Sequence, residues 1–170
     1  YSHCTSFPIY GTGQGSGSSP GIWLVISSTI FDCHAERAHG AHYATPDGTL
    51  DFKIYMVGFV DDSAGQVTDL TFERQLTPEE LIDMMQHDAQ LWSDLLYSTG
   101  GELELSKCSY HFAYVDFTDT GAPVFRGGHV GPEIILKSGD RTWEEPITPL
   151  TSYKAYKTLG CYKEPSGNQT

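Results

Sequence analysis

The sequence lacks several features that would assign a chain directly to a class. No apolar run approaches the ~20 residues of a membrane-spanning helix, so we expect no membrane association. The four cysteines are far apart and form no CxxC pair, which argues against a zinc site or a disulfide framework and favours reduced, buried thiols. The first residues include no Met, no basic segment and no signal-peptide core. We therefore expect an internal fragment of a longer intracellular protein, either nuclear or cytoplasmic.

Basic residues are also scarce. The 170-residue chain has 10 Lys and Arg against 22 Asp and Glu, a net charge of −12. The excess of acidic residues is concentrated in residues 1–100, which contain three basic and thirteen acidic residues. Residues 101–170 contain seven basic and nine acidic residues. This charge argues against a free-standing nucleic-acid binder. It is compatible with a metal-bearing centre in a longer protein and equally with an ordinary acidic surface.

The most informative stretch is MVGFVDDSAG at residues 56–65. The aromatic and β-branched residues 52–60 predict a strand, 63–65 a turn and 66–70 a returning strand. The adjacent pair Asp61-Asp62 is thus expected at or near the tip of a β-hairpin. Neighbouring carboxylates repel each other, and a divalent cation such as Mg²⁺ commonly offsets their charge. The alternative is an ordinary polar hairpin tip, because Asp is a common turn residue.

A glycine-rich loop, GTGQGSGSSP at residues 11–20, precedes a predicted helix. It is not a P-loop, because no Lys-Ser or Lys-Thr follows the glycines, and it departs from GxGxxG spacing. It is either a flexible linker or a loop whose exposed N–H groups let a phosphate approach. Ser19 can cap a helix and Pro20 fits its first position, so residues 21–37 predict a mostly buried helix, with a buried strand as the alternative.

Three histidines follow in a polar stretch. His34, His39 and His42 accompany Asp32 and Glu36, so a metal cluster is one interpretation. Their spacings of five and three residues match no zinc pattern, which favours a solvated loop.

A second helix is predicted from a capping box, with Thr77 as the cap, Pro78 at the first position and Glu80 three residues after the cap. Apolar residues then line one face at helical spacing, and the helix should end at Gly100-Gly101. Short strands are predicted afterwards at 109–117, 123–126, 133–137 and 141–144. The pattern as a whole predicts an α+β fold.

Four segments, in this order, resemble motifs of reverse transcriptases of the non-LTR retrotransposon type. The loop at 11–20 resembles the loop-helix motif, with its Gln-Gly and Ser-Pro. Residues 59–62 (FVDD) resemble the aromatic-x-Asp-Asp box of the palm hairpin. The helix at 78–99 and the segment up to Lys107 resemble the next motif. Residues 157–160 (KTLG) are similar to the Leu-Gly hairpin at the palm–thumb boundary, and the combination is most similar to retroelement reading frames of diatoms and other protists.

The resemblance implies that residues 1–170 are a single, partial polymerase palm. A central β-hairpin bearing Asp-Asp would pack on two helices, followed by short antiparallel strands that reach the palm–thumb boundary near residues 157–163. The fingers, the thumb and the strand with the upstream metal ligand would be absent.

The implied activity is RNA-directed DNA synthesis, with an RNA template, a DNA primer and deoxynucleoside triphosphates as partners. Nucleotidyl transfer to the primer 3′-hydroxyl would use two Mg²⁺ ions, with Mn²⁺ as an alternative. Asp61 and Asp62 would be the catalytic metal ligands, and Lys107 would lie near the triphosphate as a proton donor to the leaving pyrophosphate. The implied substrate-binding residues are Gln14, Gly15, Ser19, Pro20 and Phe59.

The chain also departs from the family pattern. Residues 1–10 contain no Asp or Glu to serve as the upstream metal ligand. Phe59-Val60 is a less common form of the box, which most often has Tyr and Ala. We therefore expect this fragment alone to be inactive. The alternatives are a degenerate or domesticated reverse-transcriptase-like protein that binds RNA or protein, and an unrelated acidic α+β protein. The polymerase hypothesis predicts that the glycine-rich loop, the Asp pair and Lys107 border one cleft.

Overall fold

The computed structural model describes residues 17–59, 62–68, 76–127, 132–151, 154–158 and 161–163. These residues form an α+β fold of helices and short strands. The helices are α1 (Ser19–Ala35), α2 (Pro78–Ser98) and a 3₁₀ helix (Leu105–Lys107). The strands are β1 (Ala41–Ala44), β2 (Asp51–Ile54), β3 (Met56–Phe59), β4 (Asp62–Gly65), β5 (Ser109–His111), β6 (Ala113–Phe117), β7 (Pro123–Gly127), β8 (Ile135–Lys137), β9 (Glu144–Pro146), β10 (Thr148–Leu150), β11 (Tyr156–Thr158) and β12 (Cys161–Lys163).

The described strands associate in pairs. Five pairs are antiparallel neighbours in sequence: β1 with β2, β3 with β4, β6 with β7, β8 with β9, and β11 with β12. The sixth pair is parallel, with Tyr110 of β5 opposite Pro149 of β10. This parallel pair links chain segments that are far apart in sequence, so it holds the second half of the chain together.

Helix α1 confirms the helical interpretation against the strand alternative. Pro20 lies in the first turn as predicted, but the N-cap position belongs to Ser18 rather than Ser19, and no side-chain hydrogen bond caps it. The expectation of a mostly buried helix is wrong, because only Ser27, Ile30 and His34 of the 17 residues in α1 are buried. Four consecutive apolar residues there are exposed: Ile22, Trp23, Leu24 and Val25. Consecutive residues point in different directions around a helix, so they cannot all face one neighbour.

Helix α2 begins with the predicted capping box. The Thr77 hydroxyl accepts a hydrogen bond from the main-chain N–H of Glu80 (3.3 Å), and the Glu80 carboxylate accepts one from the N–H of Thr77 (2.9 Å). The helix ends at Ser98, shortly before Gly100, whose φ of +87° suits glycine. Trp92 is buried and stacks on Phe31 of α1 with a ring-centroid distance of 5.1 Å, which joins the two helices.

The hydrophobic core lies between α2 and the strands of the second half of the chain. The Met and Trp residues of α2 belong to the interior as predicted, with Trp92 buried and Met84 and Met85 partly buried. The main cluster consists of Leu76, Leu81, Ile82, Leu105, Tyr110, Phe112, Ile134, Leu136 and Ile147.

Two glutamine side chains of α2 pair with the main chain of β8. The Gln86 amide donates to the carbonyl of Ile135 (2.6 Å) and accepts from the N–H of the same residue (2.7 Å). Gln90 bonds in the same way to Lys137, at 3.3 and 2.8 Å. Four helical residues advance by about 6 Å and two strand residues by about 6.6 Å. The spacing of the two amides along α2 therefore matches the spacing of Ile135 and Lys137 along β8. The amides provide hydrogen-bond partners for the main-chain N–H and carbonyl groups of these two residues.

The predicted hairpin around the aspartate pair exists, but its strands are placed differently. The expected strand at 52–60 is divided at Tyr55 into β2 and β3, which pair with different partners. The returning strand is β4, so residues 63–65 are extended rather than a turn. Residues 66–68 of the predicted strand at 66–70 are not in a strand, and residues 69 and 70 lie outside the described residues. Small residues such as Ser, Ala and Gly fit a turn and an exposed edge strand equally well.

The later strands agree with the predictions only in part, because four were predicted and the described residues contain eight, β5 to β12. The segment 109–117 is interrupted at Phe112, and the expected strand at 141–144 instead begins at Glu144, after a turn in which Arg141 has a φ of 60°. Strands β7 and β8 lie close to the predicted positions. The Leu-Gly segment is flanked by the antiparallel strands β11 and β12, while Leu159 and Gly160 themselves lie outside the described residues. Among the helices that the structure describes, none is both long and apolar enough to cross a membrane.

Candidate functional site

The β3–β4 hairpin presents the part of the aspartate pair that the structure describes. Phe59, the last residue of β3, pairs with Asp62, the first residue of β4. Val60 and Asp61, which lie between them in sequence, are outside the described residues. The Asp62 side chain is exposed. The role of Asp62 as a metal ligand stays a prediction.

The hairpin packs against α1 through a glycine. A Cβ atom at Gly58 would lie 2.5 Å from Cζ of Phe31, a distance at which one of the two groups would have to move. Glycine therefore allows the aromatic ring of α1 to lie directly on the backbone of β3. This contact joins the helix that follows the glycine-rich loop to the strand that leads to the aspartate pair.

The other predicted site residues occupy separate positions. Ser19 and Pro20 form the first turn of α1, where Pro20 is exposed. Lys107 is exposed at the end of the 3₁₀ helix, which the buried Leu105 fixes to the core. Gln14 and Gly15 lie outside the described residues. The structure thus pairs Phe59 with Asp62 and packs α1 on their hairpin, while a common cleft with Lys107 stays a prediction.

A second group of chemically active side chains lies where the end of α1 meets α2. Its centre is Asp88, whose side chain is 8% exposed, with the imidazoles of His39 and His87 beside it. The Nδ1 atoms of His39 and His87 lie 2.8 and 3.1 Å from Asp88 Oδ1. We call these three residues the Asp88 cluster. Their potential ligand atoms all lie within 4.8 Å of one another.

The main chain after α1 fixes the orientation of the Asp88 carboxylate. The N–H of His39 donates to Oδ1 (2.9 Å), and the N–H of Gly40 donates to Oδ2 (3.0 Å). Gly40 has a φ of +68°, and a Cβ there would lie 2.6 Å from Cδ1 of Tyr55, so the turn requires glycine. The carboxylate therefore connects α2 to the segment between α1 and β1.

Electrostatics around Asp88 favour its ionised form. Burial by itself raises the pKa of a carboxyl group. Four hydrogen bonds to Asp88 outweigh this effect of burial and hold the pKa of its carboxyl group below the ordinary value. They come from the N–H groups of Gly40 and His39 and from the imidazoles of His87 and His39. The cluster thus combines a buried negative charge with two imidazoles that are 41% and 52% exposed.

The expectation of a solvated loop containing three histidines is wrong. His34 is fully buried in the last turn of α1, where its Nε2 donates to the main-chain carbonyl of Asp88 (3.0 Å). His42 belongs to β1, and its Nε2 lies 2.5 Å from Oδ1 of Asp51. Only His39 lies between these elements, in the Asp88 cluster.

The spacing of the three histidines by itself gives no indication of Asp88, because Asp88 belongs to α2. One signal in the sequence could have identified it. Asp88 follows Leu81 and Met84 and precedes Trp92 at helical spacing, so it falls on the apolar face of α2. An acidic residue on a buried face needs polar partners. His87 beside it and the histidines after α1 are the nearest candidates.

Comparison with known proteins adds no family assignment. No protein-family model, no curated protein and no solved structure matches this chain significantly. The class that the structure itself defines is an α+β protein with short, mainly antiparallel strand pairs.

Proposed function

We propose that this chain is part of the palm of a retroelement RNA-directed DNA polymerase. The main support is the register of the β3–β4 hairpin, which pairs Phe59 with Asp62 and leaves two residues of the FVDD sequence between them. Asp62 therefore opens β4 beside the end of β3, as expected for the second carboxylate of a pair near a hairpin tip.

The neighbours of the hairpin support the same proposal. Helix α1 follows the glycine-rich loop and packs on β3 through Phe31 and Gly58. Helix α2 then packs on α1 through Trp92, and the exposed Lys107 follows it at the end of the 3₁₀ helix. The order of loop, helix, Asp-Asp hairpin, helix and lysine is the order of the motifs that the sequence resembles.

In the proposed reaction the primer 3′-hydroxyl attacks the α-phosphorus of the incoming deoxynucleotide, and pyrophosphate leaves. Bound Mg²⁺ would neutralise charge on the attacking and leaving oxygens. Asp61 and Asp62 would hold the metal, while Lys107 would donate a proton to the pyrophosphate oxygen. Gln14 and Gly15 would contact the incoming nucleotide or the template, and Phe59 would pack near the primer end.

Primer extension on an RNA template with Mg²⁺ tests this proposal. The complete protein that contains this segment should be compared with its Asp61→Ala and Asp62→Ala variants. Asp83→Ala is a matched control, because Asp83 is an exposed carboxylate on α2. We expect extension to be lost with Asp61→Ala, greatly reduced with Asp62→Ala and unchanged with Asp83→Ala.

Equal extension by the folded wild-type and Asp61→Ala proteins would refute the proposal. A wild-type protein that binds a primer–template but never extends it would instead favour the degenerate, binding-only alternative.

A further inference from the structure

We propose that the Asp88 cluster is a binding site for one divalent transition-metal ion, with Zn²⁺ as the representative ion. The ligands would be Nδ1 of His39, Nδ1 of His87 and Oδ1 of Asp88. This site shares no residue with the hairpin, and the inference does not depend on the polymerase proposal.

The first argument is the distance between the ligand atoms. With zinc–ligand bonds of about 2.0–2.1 Å in a tetrahedral arrangement, neighbouring ligand atoms are about 3.3 Å apart. The Nδ1 atoms of His39 and His87 already lie 2.8 and 3.1 Å from Asp88 Oδ1. Both nitrogen–oxygen distances are therefore within about half an ångström of the zinc-site value, and the two rings that would adjust to admit an ion are partly exposed.

The second argument is competition for one carboxylate oxygen. A carboxylate oxygen has two lone pairs. Three nitrogens lie within hydrogen-bond distance of Asp88 Oδ1, namely the main-chain N–H of His39 (2.9 Å) and the two imidazole Nδ1 atoms, so they compete for its two lone pairs. A metal ion in place of the two imidazole hydrogen bonds would bring all three side-chain atoms into one coordination sphere.

The third argument is that the acidic ligand is held in place before any ion arrives. Asp88 is buried, and its Oδ2 accepts a hydrogen bond from the N–H of Gly40 (3.0 Å). Hydrogen bonds of this kind orient a ligand and keep it ionised. The two imidazoles are partly exposed and their ring centroids are 5.0 Å apart, which leaves an approach from solvent.

The ligand set also determines which ions fit. Two imidazoles and one carboxylate suit Zn²⁺, Co²⁺ and Ni²⁺, whereas Mg²⁺ prefers oxygen ligands alone. Three protein ligands leave the fourth tetrahedral position for water. The site should therefore distinguish transition-metal ions from the Mg²⁺ that we propose for the aspartate pair.

Metal titration of the 170-residue chain tests the inference. Calorimetric titration with Zn²⁺, and absorption spectroscopy with Co²⁺, should be performed on wild type, His39→Ala and His87→Ala. His39→Ala keeps the main-chain N–H that bonds to Asp88, so the fold should be preserved; circular dichroism checks this. His42→Ala is the matched control, because His42 is a histidine paired with a single aspartate, Asp51, outside the cluster.

We expect one Zn²⁺ ion per wild-type chain, affinity reduced at least about tenfold in His39→Ala and His87→Ala, and no change in His42→Ala. The Co²⁺ complex should show no thiolate charge-transfer band. No zinc binding by the wild type would overturn the inference. So would equal affinity in all four proteins, because the ion would then bind outside the Asp88 cluster. A thiolate band that the histidine changes leave intact would also overturn it, because that band would indicate binding by cysteines.

Discussion

The pairing of glutamine amides with β8 gives the most direct test of the fold. Replacing Gln86 with Ala removes both of its hydrogen bonds to Ile135, at 2.6 and 2.7 Å, without touching the hydrophobic core. Helix α2 itself should remain, because Ala is the best helix former.

The size of the expected stability loss depends on whether water can reach the main-chain groups of Ile135 that lose their partner. Ile135 is 42% exposed, so water can reach its main-chain N–H and carbonyl once the amide is gone. The appropriate figure is then the net value of about 1 kcal/mol per hydrogen bond rather than a full desolvation penalty. Two bonds, less a few tenths of a kcal/mol gained in helix propensity, give a loss of roughly 1.5 kcal/mol.

Thermal and urea unfolding of the 170-residue chain measure this loss. A change of this size lowers Tm by roughly 3–6 °C in a chain of this length. Asp83→Ala, at an exposed position of the same helix, is the control and should change stability by less than about 0.5 kcal/mol. If Gln86→Ala and Asp83→Ala unfold at the same urea concentration, the amide pairing does not hold β8 to α2.

Gln86→Glu sharpens the test. At pH 7 the carboxylate can accept from the N–H of Ile135 but cannot donate to its carbonyl, so two oxygens face each other. We expect a greater loss of stability than with Ala. Because that contact raises the pKa of Glu in the folded state, the lost stability should return as the pH falls through that pKa. A pH-independent effect would contradict the proposed geometry.

Three further predictions concern single positions. Ile82→Ala, at a fully buried core position, should destabilise the protein by about 2–5 kcal/mol in urea unfolding. Thr77→Ala removes the hydroxyl of the capping box and should cost about 1 kcal/mol, measured in the same way, whereas Thr77→Ser should cost far less. The carboxyl group of Asp47 accepts hydrogen bonds from the Thr45 hydroxyl and from the N–H and hydroxyl of Thr49, which lower its pKa to about 2. The stability from this turn is present above the ordinary value of 3.8 and is lost as the pH falls towards 2, and Thr45→Val should raise the pKa of Asp47 in a carbon-detected NMR titration.

Local signals in the sequence determined several elements of this protein. The Thr77–Glu80 capping box and the apolar face behind it specified α2 to within a residue or two, because a helix start depends on hydrogen bonds between neighbours in sequence. Pro20 likewise fell in the first turn of α1, and a hairpin was correctly expected near the aspartate pair. The α+β class followed from the alternation of these patterns.

Tertiary contacts decided the remainder. The partner of a strand depends on parts of the chain outside that strand. The sequence therefore could not reveal that the predicted strand at 52–60 is split into β2, which pairs with β1, and β3, which pairs with β4. Nor could it reveal that β5 pairs in parallel with β10. The Asp88 cluster was hidden for the same reason. His39 and Asp88 are far apart in sequence, and only the packing of α1 on α2 brings the imidazoles, the turn at Gly40 and the carboxylate into contact.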